Sequence, residues 1–233
     1  MMLSVSHLTK SYKKTKAVDD VNFTVNQGEV AVLVGPNGAG KSTTIKSIVG
    51  LLRFKGEIKI GEYLNKDIKA KEILSYVPEL PALFPLLTVR EHIEYMALAY
   101  GKKADEEKLM ALLKRFDLED KADKLGDELS KGMMQKVSIC AAVIIDPEVI
   151  ILDEPMIGLD PKAIKEIKKL IIELKEENKT VMISTHMIEM IEDLWDRVIF
   201  MKDGKVIDTI RRAEADHEDL EELFFEITGD ADE

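Results

Sequence analysis

A glycine-rich segment between a continuous apolar run and a helix-like stretch constrains this chain more than any other feature. The segment consists of Gly35, Pro36, Asn37, Gly38, Ala39, Gly40, Lys41 and Ser42, which satisfies the spacing G-x-x-x-x-G-K-[ST]. The apolar run 29–34 predicts a buried strand before it, and a helix is predicted to begin at Lys41. Glycines let such a loop curl so that its backbone N–H groups face phosphate oxygens, and the helix N-terminus adds positive potential. We therefore expect a phosphate-binding loop in which Lys41 reaches the β- and γ-phosphates and Ser42 binds Mg²⁺.

Thr43 follows this loop directly and is included among the predicted nucleotide-binding residues. A glycine turn that merely caps a helix would use some of the same residues. The complete spacing and the flanking apolar run disfavour that simpler interpretation.

Two adjacent carboxylates, Asp153 and Glu154, end a second continuous apolar run, 149–152. Ligands of α/β proteins bind at the carboxyl ends of the strands. We expect Asp153 to hold Mg²⁺ through water and Glu154 to act as general base on the attacking water. The alternative is a solvated turn before Pro155, which the phosphate loop makes less favourable.

These two motifs together indicate a P-loop nucleoside triphosphatase. A GTPase is expected to carry N-K-x-D, and the nearest string, Asn65-Lys66-Asp67-Ile68, has Ile where Asp is required. The sequence therefore predicts ATP as the nucleotide.

Predicted strands alternate with helices along the chain, which is typical of an α/β fold. Continuous apolar runs at 29–34, 149–152 and 180–184 predict parallel strands that are buried on both faces. Half-exposed strands are predicted from alternating runs at 3–8, 21–25, 56–60, 197–201 and 205–209, the last two joined by a turn at 202–204. The helical pattern between about 86 and 145 includes a capping box of Thr88 and Glu91. We expect one domain over 1–233 with a helical insert at about 86–145.

Composition excludes several other classes of protein. The net charge is −11, and the ten acidic residues after Arg212 account for nearly all of it, so a nucleic-acid partner is not expected. The single cysteine, Cys140, excludes a disulfide framework and a multi-cysteine zinc site. The chain does not open on a basic-then-apolar leader, and the apolar region 137–152 is interrupted by charge and proline, so we expect a soluble cytoplasmic chain.

A third motif suggests a family. The segment Leu129-Ser130-Lys131-Gly132-Met133-Met134-Gln135-Lys136 resembles the signature of ABC ATPases, whose usual form is L-S-G-G-Q, and Asp153-Glu154 follows about twenty residues later. The chain is identified on these motifs as resembling an ABC nucleotide-binding subunit over essentially its whole length. The resemblance implies a P-loop core with a mostly parallel sheet, an N-terminal antiparallel β subdomain and the helical insert.

The resemblance also implies two ATP sites in a head-to-tail dimer. In such a dimer Ser130, Lys131, Gly132 and Met133 would face the γ-phosphate bound by the opposite subunit. Ser130 as an ordinary helix N-cap is the alternative. A homodimer or a pair with a related ATPase would both satisfy the pattern.

Further positions match the family pattern. The resemblance implies that Tyr12 stacks on adenine and that His186, after the run 180–184, contacts the γ-phosphate and helps to position the attacking water. Gly158 and Asp160 resemble the D-loop, which contacts the other subunit. A surface tyrosine, a structural histidine and a helix cap at Asp160 are the simpler interpretations.

The chain departs from the family pattern at three places. Glu79 stands where a glutamine is usual, and its carboxylate could approach Mg²⁺. Lys131 and Met133 replace the usual signature residues, and Met156 stands where a small hydroxylic residue is common. The Glu79 loop, the altered signature and the ending 220–228 together resemble ABC-2-type exporter ATPases, which include drug, antibiotic and peptide exporters.

These features lead to two functional hypotheses. The first is an ATP-hydrolysing subunit that drives a separate polytopic membrane permease by dimer closure, lying peripherally on the cytoplasmic face of the membrane. The second is a soluble ABC ATPase of an assembly or repair complex. The acidic tail, 211–233, is expected to form an amphipathic helix that covers the sheet or contacts the second subunit.

Overall fold

The computed structural model describes residues 1–214. Its strands, in chain order, are β1 (Leu3–Tyr12), β2 (Thr15–Val25), β3 (Val30–Val34), β4 (Lys55–Ile60), β5 (Tyr63–Leu64), β6 (Leu74–Val77), β7 (Val149–Asp153), β8 (Thr180–Thr185), β9 (Arg197–Lys202) and β10 (Lys205–Arg211). Its helices are α1 (Lys41–Ile48), α2 (Ile68–Glu72), α3 (Val89–Ala99), α4 (Glu106–Arg115), α5 (Lys131–Ile144) and α6 (Pro161–Glu176). Short 3-10 helices span Glu119–Lys121, Gly126–Glu128, Ile188–Met190 and Arg212–Glu214.

Two sheets form the framework. An antiparallel sheet has the order β2-β1-β4-β5, and a six-stranded sheet has the order β10-β9-β3-β8-β7-β6. In the larger sheet only the β10–β9 pair is antiparallel, and the other four pairs are parallel. The α/β fold with a mostly parallel sheet and an N-terminal antiparallel sheet is therefore confirmed.

The central strands of the larger sheet are buried along their whole length. Every residue of β3, β7 and β8 is buried, as the three continuous apolar runs predict. The prediction for 197–201 was wrong, because Arg197 to Met201 of β9 are all buried rather than alternately exposed. β9 pairs with β3 on one side and β10 on the other, and residues of both of its faces lie in core clusters.

Helices α3, α4 and α5 lie between β6 and β7 in the chain. Thr88 caps α3 with a complete capping box, since its side chain accepts from Glu91 N and Glu91 accepts from Thr88 N. The apolar face that α4 buries includes Leu109, Leu112 and Leu113. The largest core cluster joins these helices to β7, β8 and α6.

Some elements had no clear signal in the sequence. β6 is only four residues long, β5 two and α2 five, so none provides a long periodic pattern. The predicted amphipathic segment 220–228 lies outside the described residues. Within 1–214, none of the helices combines the length and the hydrophobicity needed to span a membrane.

Candidate functional site

The glycine-rich loop links the end of β3 to the start of α1 and curls around a cleft. Gly40 is the N-cap of α1 with φ +105°, and this helix has no side-chain cap, so its first N–H groups are directed at the loop without a competing side-chain acceptor. The cleft has a volume of about 200 Å³. It is lined by Ala17, Pro36, Asn37, Gly38, Ala39, Gly40, Lys41, Ser42, Thr43, Glu79, Glu154, Ile157 and His186.

Lys41 lies buried within the loop. Its Nζ donates to the carbonyl oxygens of Gly35 at 2.6 Å and Pro36 at 3.3 Å, and lies 3.6 Å from Oε1 of Glu154. Burial lowers the pKa of Lys41, and the Glu154 carboxylate opposes that shift. The ammonium group is thus held at the loop by two carbonyl oxygens, and phosphate oxygens could take the place of these acceptors.

Asp153 ends β7 and is fully buried. Its Oδ1 accepts hydrogen bonds from Ser184 Oγ at 2.5 Å and Ser42 Oγ at 3.4 Å, and its Oδ2 accepts from Tyr76 OH at 3.5 Å. Burial raises the pKa of Asp153, and the Ser184 hydrogen bond opposes the shift. Burial beside Asp153 raises the pKa of Tyr76 in turn, so the phenol keeps its proton at neutral pH and donates.

Glu154 turns its carboxylate into the cleft through an unusual backbone conformation. Its φ is +48°, a left-handed value that costs about 1–3 kcal/mol for a non-glycine residue. Its backbone N donates to both the carbonyl oxygen and the hydroxyl of Ser184, each at 3.1 Å. His186, just after β8, places Nδ1 at 3.0 Å from Glu154 Oε1. The candidate base is therefore held between a cation and an imidazole.

The predicted metal ligands face the same region. Ser42, Asp153 and the exposed Glu79 supply oxygen donors, which Mg²⁺ prefers. Within residues 1–214 there is no cluster of three or more His, Cys, Asp or Glu side chains that could hold a metal. This donor set fits Mg²⁺, which usually takes one or two carboxylates and completes its shell with water and substrate phosphates.

Other predicted residues lie away from this cleft. Tyr12 is 47% exposed and stacks under Lys10, whose Nζ lies 5.0 Å from the ring centroid. Ser130, Lys131, Gly132 and Met133 form the cap and first turn of α5 and do not line the described cleft. The Ser130 side chain accepts from Met133 N, so its role as an N-cap is present in the single chain.

The signature segment instead contacts the predicted D-loop. A Cβ on Gly132 would lie 3.3 Å from the carbonyl oxygen of Gly158, and Lys136 forms a 3.1 Å ion pair with Asp160. Asp160 also caps α6 by accepting from Ala163 N. These two segments therefore contact each other, and of the predicted residues Ser130, Lys131, Gly132, Met133, Gly158 and Asp160 none lines the cleft, although Ile157 does.

Two polar residues of the site, Ser184 and Tyr76, were not predicted from the sequence. Ser184 is fully buried and bonds to both Asp153 and Glu154, and Tyr76 bonds to Asp153 from β6. A signal for Ser184 was available, because a hydroxyl residue near the carboxyl end of an otherwise apolar run is unusual.

A glycine-rich phosphate loop beside the buried carboxylates Asp153 and Glu154 is the arrangement expected of a P-loop ATPase. The family model described as ABC transporter matches residues 18–157. The chain is 36% identical to the SkfA peptide export ATP-binding protein SkfE of Bacillus subtilis, covering 88% of this chain and 87% of SkfE.

Solved structures agree with this assignment. An ATP-binding subunit of an ABC transporter superposes with a TM-score of 0.90 at 34% identity, covering 97% of this chain and 99% of the other. The dimeric ATP-binding cassette MJ0796 in a post-hydrolysis state with ADP and Pi gives a TM-score of 0.82 at 30% identity, covering 90% and 98%. The chain belongs to the ABC transporter family. It is an ATP-binding subunit that hydrolyses ATP.

Proposed function

We propose that this chain drives a separate membrane-embedded exporter by closing and reopening a head-to-tail dimer around ATP. The observation that carries the proposal is the division of the described chain into two surfaces. One holds the phosphate loop with Glu154 and His186, and the other holds the Ser130 signature. A second subunit in head-to-tail arrangement would bring each surface to its complement.

The residues within the cleft have distinct roles in this proposal. Lys41 exchanges its bonds to Gly35 and Pro36 for phosphate oxygens, and Glu154 accepts the proton of the attacking water. His186 holds Glu154 in position and contacts the γ-phosphate. Mg²⁺, when bound by Ser42, Asp153 and Glu79, supplies charge neutralisation between phosphates.

The signature would stabilise the closed state. Ser130 presents a hydroxyl and the N-terminus of α5 to the γ-phosphate of the partner subunit. Tyr12 stacks on adenine in this proposal, and Gly158 and Asp160 contact the partner. Closure on ATP and reopening after hydrolysis then alternate two global states of the transporter.

The membrane partner is a polytopic permease, contacted through the α3–α5 region and the Glu79 loop from the cytoplasmic face. SkfE is named for the export of a peptide, and we propose an export cargo of the same broad kind. The chain itself would form a homodimer or pair with a related ATPase. The reported relatives give no support to the soluble assembly or repair alternative.

The dimer is tested by measuring molar mass in solution. Glu154→Gln with ATP and Mg²⁺ should elute as a dimer, and with ADP as a monomer. The control, Glu154→Gln combined with Ser130→Arg, should stay monomeric while its ATP affinity is unchanged.

Capture of the Glu154→Gln dimer from native membranes should yield a polytopic protein in roughly equal amount. Recovery of soluble proteins alone would contradict the exporter function.

A further inference from the structure

The hydroxyl of Tyr76 lies against the carboxylate that ends β7. Tyr76 is on β6, where it pairs with Ile151 of β7, two residues before Asp153. Its OH donates to Asp153 Oδ2 at 3.5 Å, at the long end of the range for a hydrogen bond.

The two oxygens of Asp153 have different donors. Ser184 and Ser42 both donate to Oδ1, at 2.5 Å and 3.4 Å. Among residues 1–214, Tyr76 is the donor that reaches Oδ2. One hydroxyl on each carboxylate oxygen restricts rotation about the Cβ–Cγ bond more than a single donor can, because that rotation would break both hydrogen bonds.

The Tyr76 ring is half-buried and packs against the core cluster that includes Leu33, Ile45 and Ile151. It also lines a cavity of about 350 Å³ between β6, α3 and α5, together with Phe84, His92 and Tyr100. This packing holds the ring in place, so its hydroxyl is presented to Asp153 from a supported position.

We infer that Tyr76 is a positioning residue of the metal site, whose hydroxyl holds Oδ2 of Asp153 in the orientation that a divalent cation needs. The inference rests on the proposed role of Asp153 in holding Mg²⁺. When Ser42 directs an oxygen lone pair to a cation, its O–H can still donate to Oδ1 of Asp153, and Tyr76 remains the donor that holds Oδ2. Groups that hydrogen-bond to a metal ligand, without binding the metal themselves, affect how tightly the site binds the metal.

The experiment compares Tyr76→Phe with Tyr100→Phe. Both substitutions remove one phenol oxygen from the wall of the same cavity, but Tyr100 donates to the Leu74 carbonyl oxygen at 2.9 Å and not to Asp153. Free Mn²⁺ is followed by its electron paramagnetic resonance signal during titration into protein with AMP-PNP, so no turnover is involved. The same titration of AMP-PNP alone is subtracted, because the nucleotide itself binds Mn²⁺. Affinity for AMP-PNP is measured separately in EDTA.

Tyr76→Phe should weaken Mn²⁺ binding by about tenfold, the lower end for groups that orient metal ligands, and leave AMP-PNP affinity in EDTA unchanged. Tyr100→Phe should change neither quantity. Equal Mn²⁺ affinity in wild type and Tyr76→Phe, or equal weakening by both variants, would overturn the positioning role while leaving Asp153 as a metal ligand. Absence of Mn²⁺ binding by the wild type would overturn the metal assignment and this inference with it. The dimer and export proposals are tested by the molar-mass and capture experiments and do not depend on this result.

Discussion

The Nδ1 atom of His186 lies 3.0 Å from Oε1 of Glu154, and both residues follow the carboxyl ends of neighbouring parallel strands. The same oxygen lies 3.6 Å from Nζ of Lys41. Oε1 of Glu154 therefore lies close both to Lys41, which would bind phosphate, and to His186, which would contact the γ-phosphate. Because these contacts exist in the single chain, Lys41, Glu154 and His186 are brought together without a partner chain.

Glu154→Gln should abolish most hydrolysis without loss of ATP binding. The amide keeps the shape of the side chain but cannot accept the proton, so kcat should fall by about 10²–10⁴-fold, the usual contribution of a general base. Phosphate release and ATP affinity measured on the same preparation test this. If Glu154→Gln hydrolysed ATP at the wild-type rate, the assignment of Glu154 as general base would be wrong. His186→Ala should lower kcat less, because the carboxylate remains.

Asp153→Asn should stabilise the protein at neutral pH in the absence of metal and nucleotide. Burial raises the folded-state pKa of Asp153 above its ordinary value, so the folded chain binds this proton more tightly than the unfolded chain does. Stability therefore falls as the pH rises from the ordinary value through the raised pKa, and the full cost is present at neutral pH. Asparagine carries no charge and still accepts from Ser184.

Thermal unfolding between about pH 4 and pH 8 in EDTA measures this effect, with about 2–4 °C expected per kcal/mol for a chain of this size. The advantage of Asp153→Asn should shrink toward pH 4, where the wild type becomes protonated. Asp160→Asn is the control and should lower the stability at neutral pH instead of raising it. The reason is that the Ala163 N–H, and then Lys136, lower the pKa of Asp160 and so stabilise its charged form. A Tm below wild type for Asp153→Asn throughout the range would contradict the prediction.

The phosphate loop could be predicted from the sequence because its spacing encodes a local backbone shape. The position of Glu154 at the cleft likewise followed from its place after a buried strand, and its role as general base stays a prediction. Contacts of Asp153 with Tyr76 and Ser184 could not be predicted, since they depend on β7 lying between β6 and β8. This strand order depends on pairing between distant segments, since β6 and β7 are more than 70 residues apart in the chain.

The error at β9 has a different origin. Residues 198–201 form a continuous apolar run, which is typical of a strand that is buried on both faces and does not alternate in polarity. Arg197 is buried as well, with its guanidinium paired to Glu29 at 3.2 Å, and the sequence pattern alone does not reveal such a partner. The antiparallel turn after β9 was local and was predicted correctly, with Asp203 and Gly204 at positive φ.

Two glycines of the phosphate loop should respond very differently to alanine. A Cβ on Gly35 would lie 2.2 Å from the carbonyl oxygen of Met201, a backbone atom of β9 that cannot rotate away. A Cβ on Gly38 would meet nothing within 4 Å, and that residue has φ +85°. Gly38→Ala should therefore cost about 1–3 kcal/mol of backbone strain, and Gly35→Ala should cost more because the loop must also move away from β9.

Urea unfolding of the two variants without nucleotide gives the comparison. Gly35→Ala should have the lower midpoint and should bind ATP poorly even when folded, because its loop is displaced. Equal midpoints would mean that the loop shifts freely from β9, contrary to the packing described above.

Mixing two inactive variants tests whether the signature acts across the dimer. Ser130→Ala removes the signature hydroxyl without adding a bulky side chain to the dimer surface, and Lys41→Ala removes the phosphate contact. Each variant alone should have little activity. In a mixed dimer, one site combines Lys41 of the Ser130→Ala chain with Ser130 of the Lys41→Ala chain, and the other site lacks both. Random equal mixing should thus restore about a quarter of the wild-type sites. If the signature acted within its own chain, each chain would carry one defect, and no mixture would recover activity.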